Sequence, residues 1–587
     1  MKQFFKFMFA SMLGTIIAGG VALFLLISVL IGVSSYLISS THTQKEVEEH
    51  SILHLHLKGE LCEVETSEEQ LLNALSYDNV HNLSLSSLRS AIKVAKEDKH
   101  IEGIFLEIDD FSCGISSARE LRESLIDFKK SGKWVFSYGD YISQTEYYIA
   151  SVADTIVINP YGRIHWKGLS RQVMLYHSLM EKVGISVEVA KVGSYKSAVE
   201  PFLYDKISEE NRTQITSYIQ SIWKDMMKDV FSSRGISVER LNELADEGQL
   251  SLSPIEYKKS GLVDVALYKS GMDSLLKVKC GIEGEEKPSF VDENDLVSME
   301  GNHNKKEKKI AILYAVGEID GTDADGISSK DFCKQIQKVK EDKSICAVVL
   351  RINSPGGSAY GAEQMWHEIE CLKREKPVVV SMGDCAASGG YYIACNASYI
   401  FAQPTTLTGS IGVFALVPNA GELAKKVGLS FEVVKTNEFA NFPSLARGMS
   451  EKEKGLLQKS VNDIYSLFIH RCSEGRNMTE KEIELLAEGR VWTGSQACKS
   501  GLIDEIGGID QAIEKASKLA NVEDYVVEEC IDKKGLWKTL MKYATLDAKM
   551  YLGKWVFGED FSYYSTMEKM KKLRGVQMRV PYELNVN

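Results

Sequence analysis

One serine of this sequence stands where a nucleophile could work. Ser388 follows an apolar strand and precedes a predicted helix, in the run Ala386-Ala387-Ser388-Gly389-Gly390. A serine at such a turn is accessible, lies in the field of the helix dipole and has the Gly389 N–H beside it as a donor to an oxyanion. Serine is also a preferred helix N-cap, so a capping role is the alternative interpretation of Ser388.

A serine nucleophile needs a base, and the nearby histidines do not offer one. His303, His367 and His470 follow neither a strand end nor a glycine turn, so a Ser-His-Asp triad is not indicated. The alternative is a buried lysine whose pKa falls from ~10.4 toward ~7–8, at a cost of ~3–4 kcal/mol. Lys196 lies among small and aromatic residues in Gly-Ser-Tyr-Lys-Ser-Ala at 193–198. The competing interpretation is a solvated surface lysine.

A glycine turn after another strand could supply further backbone donors. The strand that ends near residue 352 leads into Asn-Ser-Pro-Gly-Gly-Ser at 353–358. Its exposed N–H groups, including that of Gly357, could stabilise an oxyanion, although a plain strand–helix turn is the alternative. The corresponding stretch Asp109–Cys113 has no glycine. The fold therefore does not require the glycines, and we expect them to serve the site.

The chain repeats itself once, in a single register shifted by 244 positions. Ser-Tyr-Gly-Asp at 137–140 aligns with Ser-Met-Gly-Asp at 381–384, and Tyr-Tyr-Ile-Ala occurs at both 147–150 and 391–394. One ungapped register over such a stretch indicates a duplicated fold.

The two copies have lost different side chains. Ser388 aligns with Gln144, and Lys196 aligns with Ala440. Each copy therefore keeps one reactive group that the other lacks. The sequence leaves open whether Ser388 and Lys196 meet within one chain or across chains.

Each copy alternates short apolar runs with amphipathic helices, which is typical of a parallel α/β sheet flanked by helices. The predicted strands are Ile52–Leu61, Ile104–Ile108 and Trp134–Ser137, then Ile310–Ile319, Ala347–Ile352 and Val378–Ser381. The predicted helices are Leu88–Asp98 and Ala118–Lys130, then Phe332–Asp342 and Ala362–Lys373, with further long helices over 205–240 and 450–475. We therefore predict two tandem α/β repeats, 46–280 and 310–530. A polar, unpatterned linker over 281–309 would join them, and 531–587 would form an extension without an assigned role.

Residues 1–45 predict a cytoplasmic N-terminus and a transmembrane helix. No charged residue lies between Lys6 and Lys45, and 12–38 is almost wholly apolar, which exceeds the ~20 residues that a helix needs to cross a bilayer. Lys2 and Lys6 precede this span, so the positive-inside rule places the repeats outside the cytoplasm. A cleaved signal peptide is the alternative, but its apolar core has only ~7–15 residues.

Composition excludes several classes of protein and site. The 587 residues exceed the ~300 of a single core. The net charge of −12 and the lack of a basic stripe argue against a nucleic-acid partner. Eleven cysteines, an odd number without a C-x-x-C pair, argue against a disulfide framework. The histidines do not pair at metal-ligand spacing, so we expect neither a metal nor a cofactor.

Four motifs together resemble the signal peptide peptidase A family, also called protease IV, in its long duplicated bacterial form. The resemblance extends from the N-terminal anchor to about residue 530. The motifs are Asn353–Gly357, Gly383–Tyr391, Thr408–Val413 and Tyr195–Ala198.

The resemblance implies a fold similar to the Clp protease subunit and to crotonase, and a serine endopeptidase with a Ser/Lys dyad. Ser388 would be the nucleophile, Lys196 the general base, the N–H groups of Gly357 and Gly389 the oxyanion hole, and Ser410 the residue that orients the lysine. It further implies cleaved signal peptides and other extended hydrophobic peptides as substrates. The enzyme would act at the outer face of the bacterial cytoplasmic membrane, as a ring-like homo-oligomer, a tetramer in the family.

Two other functions remain to be weighed. A crotonase-like acyl-CoA enzyme would also use glycine turns as an oxyanion hole, but it needs a carboxylate base and cytosolic CoA, which outward topology disfavours. A catalytically inactive membrane scaffold would have no reason to keep both Ser388 and Lys196.

Overall fold

The structure is a computed structural model of the chain. It describes residues 47–65, 83–247, 253–283, 287–300, 307–321, 326–531 and 576–580, with a few isolated positions between 7 and 20. The predicted anchor over 12–38 falls almost entirely outside these residues. In the part of the chain that is described, no helix is both long and apolar enough to cross a membrane.

The first repeat is built on a parallel sheet in the order β2-β1-β3-β4-β5-β7, with β8 also paired to β1. Its strands are β1 Ser51–Cys62, β2 Leu83–Ser84, β3 Ile101–Ser112, β4 Trp134–Ile142, β5 Thr155–Ile164, β7 Val265–Ala266 and β8 Ser289–Val291. All pairings in this sheet are parallel, as the sequence pattern predicts.

The second repeat has a sheet of the same kind, in the order β16-β14-β12-β10-β9-β18, with β13 between β12 and β17. Its strands are β9 Lys309–Val316, β10 Ile345–Ser354, β12 Val378–Ala387, β13 Tyr399–Ala402, β14 Leu407–Gly409, β16 Val491–Thr493, β17 Glu505–Ile506 and β18 Val526–Cys530. Among these strands the one antiparallel pairing joins β14 to β16. The prediction of two parallel α/β units is therefore confirmed.

Helices cover the sheets of both repeats. Those of the first are α1 Leu85–Glu97, α2 Ile115–Lys129, α3 Gln144–Ala150, α4 His177–Val183, α5 Glu200–Leu203, α6 Glu209–Arg234, α7 Val238–Asp246, α8 Pro254–Lys259, α9 Met272–Lys279 and α10 Glu293–Glu300, with 3-10 turns at Ser197–Val199 and Lys269–Gly271. Those of the second are α11 Ser329–Glu341, α12 Ala359–Lys373, α13 Gly389–Ala394, α14 Gly421–Lys426, α15 Glu451–Arg476, α16 Glu480–Leu486, α17 Gly494–Ser500 and α18 Ile509–Ala520.

Local sequence explains why the helices begin where they do. In both repeats the first helix has a serine N-cap, Ser84 for α1 and Ser328 for α11, whose side chain accepts a bond from a first-turn N–H. The long helices α6 and α15 begin in the same way at Ser208 and Ser450. The predicted helices start about three residues late because the apolar pattern that marks a helix begins one turn after its cap.

A third sheet connects the two repeats. Its order is β11-β19-β15-β6, with β6 Ser186–Val192 from the first repeat and β11 Gly356–Ser358 and β15 Val413–Asn419 from the second. The strand β19, Val576–Arg579, comes from the C-terminal extension and lies between β11 and β15. The sheet places the chain that follows β6, which includes Lys196, against the second repeat.

A buried charge network also joins the repeats. Arg351 on β10 is fully buried and donates to Glu63, at 2.9 Å, and to Glu120 on α2, at 2.7 Å. Burial raises the pKa of Glu120 to about 7, although the positive charge of Arg351 acts to lower it. Asp384, at the end of β12, accepts from the backbone N–H groups of Ser116 and Ser117. The strands that carry the second repeat's motifs are thus held by polar contacts to the first.

The stretch predicted as a structureless linker differs from that prediction. It contains β8, which extends the first sheet beside β1, and α10, in which Leu296 is fully buried. The few apolar residues of 281–309, such as Phe290 and Leu296, are dispersed among charged ones, so they give no periodic signal in the sequence. The remaining domain boundaries stay a prediction.

Candidate active site

Lys196 lies within hydrogen-bond distance of two other residues predicted for the site. The Nζ of Lys196 lies 2.7 Å from the Oγ of Ser388 and 3.1 Å from the Oγ of Ser410. The amine also donates to the carbonyl oxygen of Ser410 at 3.1 Å. All three residues are fully buried. The contact forms within one chain, which the sequence left open.

The backbone around Ser388 aims its hydroxyl at the lysine. Ser388 lies between the end of β12 and the start of α13, with φ 56 and ψ −112, a conformation that a non-glycine residue rarely adopts. Its N–H is fixed by a 2.8 Å bond to the carbonyl of Gly409. It occupies the N-cap position, but its side chain makes no capping bond. The capping alternative therefore does not describe Ser388, whose hydroxyl faces Lys196.

Burial sets the charge state of Lys196. The side chain is fully buried, and this loss of solvent lowers the pKa of its amine well below the ordinary value of 10.5. Burial disfavours the charged form of an amine because the protein interior replaces water poorly as a solvent for an ion. The amine is therefore a better proton acceptor near neutral pH than a solvated lysine is.

A loop of the second repeat that the sequence analysis missed holds Lys196 in place. The N–H of Tyr195 donates to the carbonyl of Glu488 at 2.9 Å, and Ser194 Oγ donates to the Glu488 carboxylate at 2.7 Å. Gly489 has φ +79, and a Cβ there would come within 2.7 Å of the Cβ of Lys196. Glycine at 489 thus makes room for the lysine backbone.

Gln214 on α6 forms hydrogen bonds both to the segment around Lys196 and to the chain that follows Gly489. Its side-chain amide donates to the carbonyl of Tyr195 at 3.0 Å and to Ser197 Oγ at 2.9 Å. Its carbonyl oxygen accepts from the N–H of Val491 at 3.2 Å. Residues 488–490 read Glu-Gly-Arg and match no motif, so the sequence did not predict these contacts.

The glycine turn and Ser388 lie side by side, and β19 covers both. Gly389 is so close to the turn that a Cβ on it would lie 3.1 Å from Gly356 Cα and 3.2 Å from Gly357 N. The N–H of Val580 donates to the carbonyl of Pro355 at 2.9 Å. Because bonded pairs alternate along an antiparallel ladder, Gly357 and Met578 form the next such pair. The carbonyl of Met578 therefore lies against the two glycines predicted as the oxyanion hole.

In the first repeat, the positions that align with Ser388 and Ser410 carry Gln144 and Trp166, whose side chains make other contacts. The side-chain oxygen of Gln144 accepts from the N–H groups of Lys167 and Gly168, at 3.0 and 2.9 Å. Trp166, which aligns with Ser410, is fully buried and donates from its indole to Leu241. Ala440 lies in an exposed segment. The described first repeat thus has no pair that corresponds to Ser388 and Lys196.

Comparisons with known proteins agree with the duplicated architecture. A family model described as Peptidase family S49 matches residues 127–272 and 370–523. Protease 4 of Haemophilus influenzae is 33% identical over 512 residues, which cover 83% of this chain and 83% of that protein. A putative signal peptide peptidase SppA of Enterococcus faecium is 33% identical over 234 residues, which cover 39% of this chain and 68% of that protein.

Among solved structures, a ClpP1 point mutant from Listeria monocytogenes aligns with 34% of this chain and 91% of its own, at 16% identity and a TM-score of 0.23. The matched family segments fall one in each repeat, and together they span about half of the chain. From this match and the extent of the identity with Protease 4, the chain belongs to peptidase family S49 and is a serine protease.

Proposed function

We propose that the enzyme is an endopeptidase in which Ser388 is the nucleophile and Lys196 the general base. The observation that carries the proposal is the 2.7 Å contact between the Ser388 hydroxyl and a fully buried amine. The neutral amine would take the Ser388 proton as the Oγ attacks the scissile carbonyl, and the resulting ammonium would protonate the leaving amine. In the second step the lysine would activate water in the same way, and the acyl-enzyme would be hydrolysed.

The N–H groups of Gly357 and Gly389 would stabilise the oxyanion of the tetrahedral intermediate. Support comes from the Met578 carbonyl, whose oxygen would lie 2.1 Å from a Cβ on Gly356 and 3.1 Å from a Cβ on Gly389, so a backbone carbonyl already reaches the neighbourhood of both N–H groups. Ser410 would orient the lysine, since its Oγ lies 3.1 Å from Nζ. Ser410 Oγ is itself 3.3 Å from the carbonyl of Gly489, to which it can donate.

Extended peptides would bind as an added strand. Support comes from β19, which lies antiparallel to both β11 and β15 across the site, the geometry of peptide recognition by β-augmentation. The buried side chains of Met578 and Val580 favour apolar residues at these positions. Cleaved signal peptides are extended and apolar, and the Enterococcus relative is named for them. We therefore propose remnant signal peptides as the principal substrates.

The sequence favours the outer face of the cytoplasmic membrane as the place of action. The apolar span over 12–38 and the preceding Lys2 and Lys6 support a single anchor with the repeats outside the cytoplasm. We propose a homo-oligomer of such anchored chains. No observation favours an acyl-CoA enzyme, because the amine of Lys196, rather than a carboxylate, faces Ser388.

Labelling with a serine-directed fluorophosphonate tests the proposal. Full-length protein should be labelled and should cleave a hydrophobic peptide, whereas Ser388→Ala should lose both properties, with cleavage reduced by about 10³-fold or more. Ser137→Ala, which removes an equally buried hydroxyl from the first repeat, should keep both. Labelling of Ser388→Ala at the normal rate would show that another residue is the nucleophile.

A further inference from the structure

The strand β19 indicates where a bound peptide would be cut. Met578 lies opposite Gly357 in the antiparallel ladder, and Arg579 lies opposite Gly356. Gly357 and Met578 form a hydrogen-bonded pair of that ladder, so the Met578 carbonyl is the one that reaches the proposed oxyanion donors. A peptide that binds in the same register would have its scissile bond after the residue that corresponds to Met578. The residue that corresponds to Arg579 would begin the leaving segment.

The side chain at that next position contacts a carboxylate of the second repeat. The guanidinium of Arg579 donates to Glu318 Oε1 at 2.9 Å. Glu318 is buried, with 6% of its side chain exposed, and Arg579 is partly buried, with 29% exposed. Hydrogen bonds between charged groups are stronger than neutral ones, and more so where water is excluded. The contact therefore favours a basic side chain at this position of a bound chain.

Glu318 belongs to the same backbone unit as the glycine turn. The N–H of Ile319 donates to the carbonyl of Gly356 at 2.9 Å, and the N–H of Ser358 donates to the carbonyl of Ile319 at 2.9 Å. The carbonyl of Glu318 itself accepts from the N–H of Ile327 at 2.9 Å. The carboxylate is thus held directly beside the segment that shapes the proposed oxyanion hole.

A glycine makes the space that the Glu318 side chain occupies. A Cβ on Gly321 would lie 2.5 Å from Glu318 Cγ, Cδ and Oε2, so a larger residue there would displace the carboxylate. Buried carboxylates are generally paired with a cation. A substrate that displaces β19 takes Arg579 away from Glu318, and a lysine or arginine in the substrate would restore that contact. An acidic side chain would instead bring two negative charges together.

We propose that Glu318 is a specificity-determining residue, which selects peptides that carry lysine or arginine immediately after the scissile bond. The inference deepens the proposed endopeptidase and rests on it, because it takes β19 as the guide to how a peptide lies beside Gly357. Met578 and Val580, on either side of Arg579, are both buried. The preferred substrate is therefore an extended apolar segment that contains one basic residue, with the cut just before that residue.

Two peptides with blocked ends that differ at one position test this role of Glu318 in the full-length protein. One is Gly-Val-Gln-Met-Arg-Val-Gly, which carries the sequence of 576–580 between two glycines, and the other has Glu in place of Arg. The strand β19 competes equally with both, so its occupancy cancels from the ratio of their kcat/KM values. Wild type should favour the Arg peptide by about 10–100-fold. Mass spectrometry of the products should place the cut between Met and Arg.

Variants of Glu318 should change this ratio in a defined order. Glu318→Gln should bring the two kcat/KM values close together, and Glu318→Arg should favour the Glu peptide. A ratio measured on one preparation does not depend on the fraction that is folded, so a loss of stability cannot imitate a reversal. Glu341→Arg is the matched control, because it makes the same change of charge at an exposed position of α11. It should keep the wild-type preference.

The outcomes separate this inference from the proposed function. Equal kcat/KM values in wild type, a preference for Arg that persists in Glu318→Arg, or a cut at another bond of the Arg peptide each overturn the role of Glu318. If Ser388→Ala is inactive on both peptides in that case, the proposed endopeptidase still stands. If Ser388→Ala cleaves both peptides at the wild-type rate, the proposed endopeptidase falls together with the role of Glu318.

Discussion

The amine of Lys196 lies 2.7 Å from the hydroxyl of Ser388, although each residue belongs to a different repeat. The lysine follows β6 of the first repeat, and the serine follows β12 of the second. The antiparallel pairing of β6 with β15 and the contacts of Gln214 fix this distance. A duplicated fold has thus divided the proposed catalytic pair between its halves.

Substitution of Lys196 should separate the need for a neutral amine from the need for a positive charge. Lys196→Arg keeps the charge but cannot lose a proton at working pH, so it should be as inactive as Lys196→Met. The wild-type rate should rise with pH on a single titration below 10.5, because burial lowers the pKa of the lysine. Stopped peptide assays across the pH range measure both effects. A fully active Lys196→Arg would remove the lysine as the base.

The same buried amine should weaken the fold at low pH. The folded-state pKa of Lys196 lies below that of the unfolded chain, so between the two values the unfolded state binds more protons. The free energy of unfolding from this group therefore rises with pH across that window, up to about pH 10.5, by about 1.4 kcal/mol for each unit of pKa difference.

Lys196→Met should for this reason be more stable than wild type, and its advantage should shrink as the pH is raised. Denaturant titrations at several pH values measure the difference, with Lys452→Met as the control because that lysine side chain is 72% exposed. An advantage for Lys196→Met that grows with pH would contradict the sign of the shift.

Gly489→Ala should abolish most of the activity by displacing Lys196. A Cβ at 489 would come within 2.7 Å of Lys196 N and Cβ, and a displacement of about 1 Å can cost ~10²-fold in rate. Gly501→Ala is the matched control, because its φ of +82 carries the same backbone strain while its nearest neighbour, Met478 Sδ, is 3.6 Å away. Gly501→Ala should lose about 1–2 kcal/mol of stability from backbone strain, and Gly489→Ala should lose more because of its close contact with Lys196. Equal peptidase rates in the two variants would contradict this role for Gly489.

Local sequence patterns reveal some residues of the site but not those whose role depends on contacts distant in sequence. Ser388 and Lys196 could be predicted because the ungapped repeat marks where each copy departs from the other, whereas Ser410 was indicated only by the family resemblance. Glu488 and Gly489 could not, since their effect on Lys196 depends on a contact between residues almost 300 positions apart. The strand β19 was missed for the same reason. Its four residues match no motif, and only the sheet pairing shows that they reach Gly357.

Removal of the C-terminal strand should open the site to substrate. The strand β19 lies where we propose that peptides bind, so deletion of 576–587 should lower KM for an extended peptide. Met578 and Val580 are buried, so thermal denaturation must accompany the assay to show that the fold persists. An unchanged or higher KM in a stably folded deletion variant would mean that substrate binds elsewhere.

Separate expression of the repeats gives the strongest test of the divided site. Cutting the gene within 301–306 yields one chain with Lys196 and another with Ser388. Neither should cleave peptides alone, because proton transfer requires the two side chains within ~2.6–3.2 Å. Co-expressed chains should copurify and regain activity.

Copurification should depend on the buried network between the repeats. Arg351 of one chain pairs with Glu63 and Glu120 of the other. Arg351→Ala would leave two buried carboxylates without their cation, which costs about 3–5 kcal/mol, and should prevent copurification. Activity from the Ser388 chain alone would show that the loss of serine from one copy and lysine from the other has no bearing on catalysis.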